Sequence, residues 1–118
     1  SALHGTPFRP KYEGAILVVE DVNEAPYRIE RMLLQLRLSG DLQRCTGIAF
    51  GAFINPAEDD TIGGSRSISD ILTEAAKAAN VPSISGVPVG HIEEQWSLPL
   101  GSEAELDADE KRLTIMTQ

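Results

Sequence analysis

The run Ile16-Leu17-Val18-Val19, ending in Glu20-Asp21, constrains the fold more than any other stretch of this chain. Residues 15–19 are apolar without interruption. A strand there presents oily side chains to both faces of a sheet, the pattern of a parallel strand covered on two sides. Two carboxylates at the tip of such a strand need an explanation. Three compete: a solvated strand end, a metal-binding acidic pocket, or a catalytic acid.

The surrounding pattern places this strand in an α/β chain. "DVNEAP" reads as a turn, and Pro26 suits the first turn of a helix, where its missing N–H has no intrahelical partner. Asn23 and Glu24 stand where polar caps and acids are favoured. The helix is expected to run to about Ser39, with Ile29, Leu33 and Leu36 on one face and Met32 beside them. Gly40 suits the left-handed residue that closes it. Residues 46–53 form a second apolar strand, interrupted by Gly51, and 54–65 a polar loop. Ser67 and Asp70 make a capping pattern ahead of Ile68, Ile71, Leu72, Ala75, Ala76 and Ala79 at helical spacing. Residues 81–85 are a third strand, and 86–91 an extended segment ending at His91. "AELDA" and "RLTIM" flank "DADEK" as a C-terminal hairpin. Residues 1–14, with Pro7, Pro10, Gly5 and Gly14, read as an extended arm or linker. The order predicts a partly parallel sheet, whose sites form at the carboxyl ends of strands. Glu20 and Asp21 occupy one such end, and His91 follows another candidate strand.

At 118 residues the chain has room for one domain and one core. Its net charge of −8 repels phosphate backbones, and no Lys/Arg cluster suits an anionic membrane surface. No apolar stretch nears the roughly 18 residues of a membrane span, and no secretory signal is visible. A start at Ser1 without Met fits a processed product or a piece of a longer chain. The single cysteine, Cys45, precedes an apolar run and reads as a buried thiol, compatible with a reducing cytosol.

Chemistry narrows the three readings. The first 25 residues or so of the "ILVVED" region look like a response-regulator receiver domain. That family needs a phosphoacceptor Asp after a later strand, but no Asp lies between Asp41 and Asp59, and no Lys from 78 to 110. A metal site could draw on Glu20, Asp21 and Glu24, but no D-x-D-x-D-G loop exists, and His4 and His91 lack zinc spacing. No metal and no cofactor is expected. A hydrolytic triad needs a base and an acid that orients it. His91 is the only candidate base outside the arm that holds His4. The nucleophile has no candidate: there is no G-x-S-x-G elbow, Ser65 and Ser67 read as loop and cap, and Ser83 and Ser85 fall in a short strand. A base and an acid without a nucleophile suggest half of an active site.

A longer resemblance joins these pieces. "GTPFRP", "GAILVVEDVNEAPYRIERMLLQLRLSGDL", "GIAFGAF", "SISDIL", "VPVGH" and "LPLG" follow one another across positions 5–115. Together they resemble the C-terminal domain of the serine LD-carboxypeptidases, the muramoyltetrapeptide carboxypeptidases, with the related microcin C immunity peptidases. The resemblance implies a swivelling β/β/α-type domain with a mixed sheet over residues 15–118. It makes residues 1–14 the linker from an N-terminal domain that carries the nucleophilic serine and the oxyanion hole. It assigns Glu20 as the triad acid and His91 as the base, with Glu24 the rival acid. It implies release of the terminal D-alanine from murein tetrapeptide, at an L–D bond, in peptidoglycan recycling in the bacterial cytoplasm. The chain alone is then expected to be inactive, and Glu20 and His91 to meet across 71 positions. Trp96 is left to a domain or dimer interface, or to the core. The alternatives are a microcin C-type immunity peptidase and a non-catalytic module that binds a metal or a partner.

Overall fold

The computed structural model describes residues 1–54 and 66–116. Strand β1 (Ile16–Val22) leads to helix α1 (Pro26–Leu38), the short helix α2 (Asp41–Arg44) and strand β2 (Gly47–Ile54). Helix α3 (Ile68–Ala79), strand β3 (Ser83–Ser85) and the hairpin β4 (Ala104–Asp107) and β5 (Arg112–Ile115) complete it.

The strands form two sheets: β1, β2 and β3 pair in parallel with β2 central, and β4 and β5 pair antiparallel. Side-chain alternation explains how they stack. Leu17 and Val19 of β1, with Ile48 and Phe50 of β2, pack with Ile29, Leu33, Leu36, Ile71, Ala75 and Ala79 of the helices. Ile16 and Val18, with Ala49 and Ile84, face the other way and pack with Leu106 and Leu113 of the hairpin. The layers are therefore hairpin, parallel sheet, helices. The uninterrupted apolar run of β1 is the consequence of being covered on both faces.

The helix ends follow local chemistry. Ser67 Oγ accepts from Asp70 N at 3.1 Å, the expected cap of α3. Gly40 takes φ 77° just past α1. At the start of α1 the expectation is corrected: the N-cap is Ala25, with no side-chain cap bond, ahead of Pro26. Asn23 instead turns with φ 65° and donates its backbone N–H to Ile54 O at 2.7 Å. Glu24 accepts from Arg28 Nη1 at 3.3 Å.

The N-terminal segment is a second correction. Residues 1–14 do not extend away but turn back onto the domain. Tyr12 enters the helical-side core, and Arg9 and His4 reach the fully buried Asp41. Cys45 is buried as expected, and burial, with Asp41 nearby, pushes its thiol pKa up. The polar loop reading over 54–65 lies outside the described residues, apart from Ile54 at the end of β2.

Candidate active site

The period-2 alternation of β1 separates the two carboxylates at its tip. Glu20 falls on the face of Ile16 and Val18, and Asp21 on the face of Leu17 and Val19. Asp21 borders a small gap beside Glu24, Ile29, Phe53 and Ile68. Burial, and then repulsion from Glu24 and Glu20, raises its pKa, and among the described residues its buried Oδ1 has no hydrogen-bond partner.

Glu20 sits where the β1–β2 register slips. Val19 pairs with Phe50, but Asp21 pairs with Phe53, so Gly51 and Ala52 together oppose the single Glu20. A bulge of this kind re-aims a side chain at the end of a strand. On the far edge of β2, Val87 N donates to Phe50 O at 3.1 Å and Ala52 N to Val89 O at 2.8 Å. Residues 87–89 thus continue the line of β3 along β2.

Two glycines let these strands close on one another. A Cβ on Gly51 would stand 2.6 Å from Val89 O and 3.2 Å from Glu20 Cβ. A Cβ on Gly90 would stand 3.0 Å from Glu20 Oε2, and its φ of 125° disfavours any side chain. The chain therefore passes directly over the Glu20 carboxylate and delivers His91 beside it. His91 Nδ1 lies 3.1 Å from Glu20 Oε2. The two side chains are 62% and 35% exposed, so the pair stands at an open surface. Among the described residues, Nε2 of His91 has no hydrogen-bond partner. Imidazole held by a carboxylate at Nδ1, with Nε2 free, is arranged to accept a proton from a group outside.

The other sequence candidates go elsewhere. Glu24 bonds Arg28 rather than His91. Ser67 caps α3, and Ser83 Oγ donates to Val81 O at 3.0 Å; Ser65 lies outside the described residues. His4 pairs with Asp41 at 3.3 Å. Trp96 is 58% exposed, which corrects the core reading, and its backbone N–H donates to Pro88 O at 2.7 Å. Among the described residues, no three His, Cys, Asp or Glu side chains are grouped to hold a metal ion, and no helix is long and apolar enough to cross a membrane. Grooves of about 330, 390 and 540 Å³ lie between α1 and α3, beside β1 and β5, and between the end of α3 and Ser83; none includes Glu20 or His91.

Sequence reasoning missed Gly51 as a site residue, although the glycine interrupting an apolar strand was its signal. It also missed Asp41, for which no local signal existed.

The family profile of the LD-carboxypeptidase C-terminal domain matches residues 1–106. The chain belongs to the LD-carboxypeptidase family. As an LD-carboxypeptidase C-terminal domain it has relatives in both sequence and structure. It is 34% identical, over 94% of its length, to a protein of Bacillus subtilis described as a probable murein peptide carboxypeptidase, of which the match covers 34%. The crystal structure of muramoyltetrapeptide carboxypeptidase from Oxalobacter formigenes superposes with a TM-score of 0.78 at 34% identity, over 95% of this chain and 38% of that one. The microcin C7 self-immunity protein of Escherichia coli is 27% identical over the whole chain and 34% of its own length. The LD-carboxypeptidase domain thus spans about a third of the length of the relatives it matches. Its combination of parallel and antiparallel sheets agrees with the α/β fold of the carboxypeptidase structure.

Proposed function

We propose that this chain supplies the acid and base of a serine-type LD-carboxypeptidase, with the nucleophilic serine on a separate N-terminal domain. The observation that carries the reading is the 3.1 Å approach of His91 Nδ1 to Glu20 Oε2 at the carboxyl end of β1. Family membership supports it, because the named relatives include murein peptide carboxypeptidases. The substrate is a murein tetrapeptide, and the product is its terminal D-alanine, released during peptidoglycan recycling in the bacterial cytoplasm.

In the mechanism, the serine Oγ attacks the carbonyl carbon of the L–D peptide bond while its proton passes to His91 Nε2. Glu20 accepts the Nδ1–H hydrogen bond, which fixes the tautomer and stabilises the imidazolium. The tetrahedral adduct collapses, the C–N bond breaks, and His91 gives its proton to the leaving amine of D-alanine. Water then loses a proton to His91 as it attacks the ester, and the serine recovers that proton when the peptide carboxylate departs.

The chain alone is expected to release no D-alanine from murein tetrapeptide. In the two-domain protein, release is expected; His91→Ala should abolish it, and Glu20→Gln should lower kcat by roughly 10³–10⁴-fold by losing the tautomer. Hydrolysis by the isolated chain, or a fully active His91→Ala enzyme, would sink this assignment. The match of this whole chain to about a third of the microcin C7 self-immunity protein supports a second reading, the same triad acting on a peptide–nucleotide. A two-domain protein that leaves the tetrapeptide intact and cleaves a peptidyl nucleotide would favour it.

A further inference from the structure

Asp41 is the most completely buried charged residue described, with no exposed surface. An ionised carboxylate in that position must be matched by cations and donors. Two of its partners belong to the domain: Ser39 Oγ donates to Oδ2 at 2.9 Å, and Arg44 Nη1 to Oδ1 at 3.4 Å. The other two come from the N-terminal segment. Arg9 donates through Nη2 to Oδ1 and through Nε to Oδ2, and His4 Nδ1 lies 3.3 Å from Oδ2. Tyr12 completes the segment's seat: it is buried and stacks with His4 at 6.1 Å between ring centroids. Two backbone bonds staple its end, from Gly14 N to Arg44 O at 3.2 Å and from Thr46 N to Ala15 O at 2.8 Å.

This anchor is remote from the candidate active site. Asp41 opens α2, which feeds the start of β2, whereas Glu20 and His91 meet at the carboxyl ends of the strands. The four-residue rise from Ile16 to Glu20 alone separates the two ends by about 13 Å. Residues 1–14 stand between β1 and any chain that precedes them, and the relatives are about three times as long as this chain.

We propose that Asp41 is a positioning residue: it locks residues 1–14 onto the domain through Arg9 and His4, and so sets how the nucleophile-bearing domain approaches His91. The lock stands on its own geometry; its consequence for catalysis rests on the function proposed above.

The test has two arms. In this chain, Arg9→Gln removes the lock's main cation from a partly exposed position and leaves the apolar core intact. Hydrogen exchange at the Gly14 and Ala15 amides, and tryptic cleavage after Lys11, should accelerate at least tenfold, with β2 amides still protected. Unchanged exchange and cleavage would overturn the lock. In the two-domain enzyme, Arg9→Gln and Asp41→Asn should each lower kcat per active site roughly 10- to 100-fold, the scale of a small misplacement of reacting groups. Active sites are counted by titration with a serine-directed phosphonate. Mere loss of folded protein lowers that count and not the rate per site, and Arg9→Lys should recover part of the rate. A released segment with an undiminished rate per site would overturn the positioning role. A wild-type two-domain protein without carboxypeptidase activity would fell the catalytic reading and its positioning consequence together, while the exchange result would still decide the lock.

Discussion

Replacing Gly51 by Ala is the sharpest perturbation of this site, because it adds one methyl group at the point where three segments converge. The new Cβ would lie 2.6 Å from Val89 O and 2.7 Å from Val89 Cγ2, both far inside ordinary contact at 3.4 Å. Relief requires a separation of about 0.8 Å between β2 and residues 87–89. Val89 O is also the acceptor for Ala52 N, and Gly90 follows it directly over the Glu20 carboxylate. The shift therefore weakens that hydrogen bond and draws His91 from Glu20. Overpacking costs about 1–3 kcal/mol, offset by about 0.4–1 kcal/mol because Ala restricts the unfolded chain more than Gly. A net loss of about 1–2 kcal/mol lowers the melting midpoint by about 4–8 °C, taking an unfolding entropy of about 2.1 cal/mol/K per residue. The assay is thermal unfolding of the isolated chain, with nitrogen-15 spectra of the His91 ring to follow its hydrogen bond at Nδ1. An unchanged midpoint together with unchanged ring resonances would refute the steric argument. A lower midpoint with an intact His91–Glu20 bond would show that the strands yield elsewhere.

Buried Asp41 and half-buried Asp21 should respond to pH with opposite signs. Burial alone would raise the Asp41 pKa, but hydrogen bonds from Arg9 and Ser39 and the charges of Arg9 and His4 outweigh it and hold the carboxyl below its ordinary value. Its stabilisation is thus complete above the unfolded value of about 3.9 and is lost as pH falls through the lower folded value. Urea titrations below pH 5 should show a smaller acid dependence in Asp41→Asn; an identical slope would contradict this. Asp21 is shifted upward by burial and by Glu24 and Glu20, so its ionisation opposes folding at neutral pH. Asp21→Asn should match or exceed the wild-type midpoint at pH 7, and a clear loss there would show that the carboxylate makes a favourable contact. Ser67→Ala removes the side-chain cap of α3 and should cost about 1 kcal/mol in urea unfolding; no change would mean that the 3.1 Å bond contributes nothing.

How much of this was legible beforehand follows from the range of each interaction. The strand at Ile16–Val22, the helices with buried Ile29, Leu33 and Leu36 or Ile71, Ala75 and Ala79, and the hairpin at 104–115 all repeat on a local period. Helix α2 was missed because its four residues are too few to show one. The cap at Asn23 or Glu24 failed because the turn spends Asn23's backbone on Ile54 O, a tertiary bond. The folded-back segment was missed for the same reason. Arg9 and Asp41 are 32 positions apart, and nothing local says that either needs the other. Trp96 stayed at the surface although its size suggests burial: its backbone N–H bonds to Pro88 O while 58% of the residue remains exposed.

For the site, the sequence by itself determined which groups were available: a carboxylate pair at a strand end, a histidine behind a glycine, and no serine with an activated setting. It also determined that Glu20 and Asp21 must face opposite ways, because successive side chains on a strand always do. Which carboxylate meets His91 was decided only by the tertiary structure. The β2 bulge, the bare backbone at Gly51 and Gly90, and the hydrogen bonds that lay residues 87–89 along β2 bring Nδ1 to 3.1 Å from Glu20. The physical reason is that alternation is a property of one strand, whereas a contact across 71 positions depends on the packing of three.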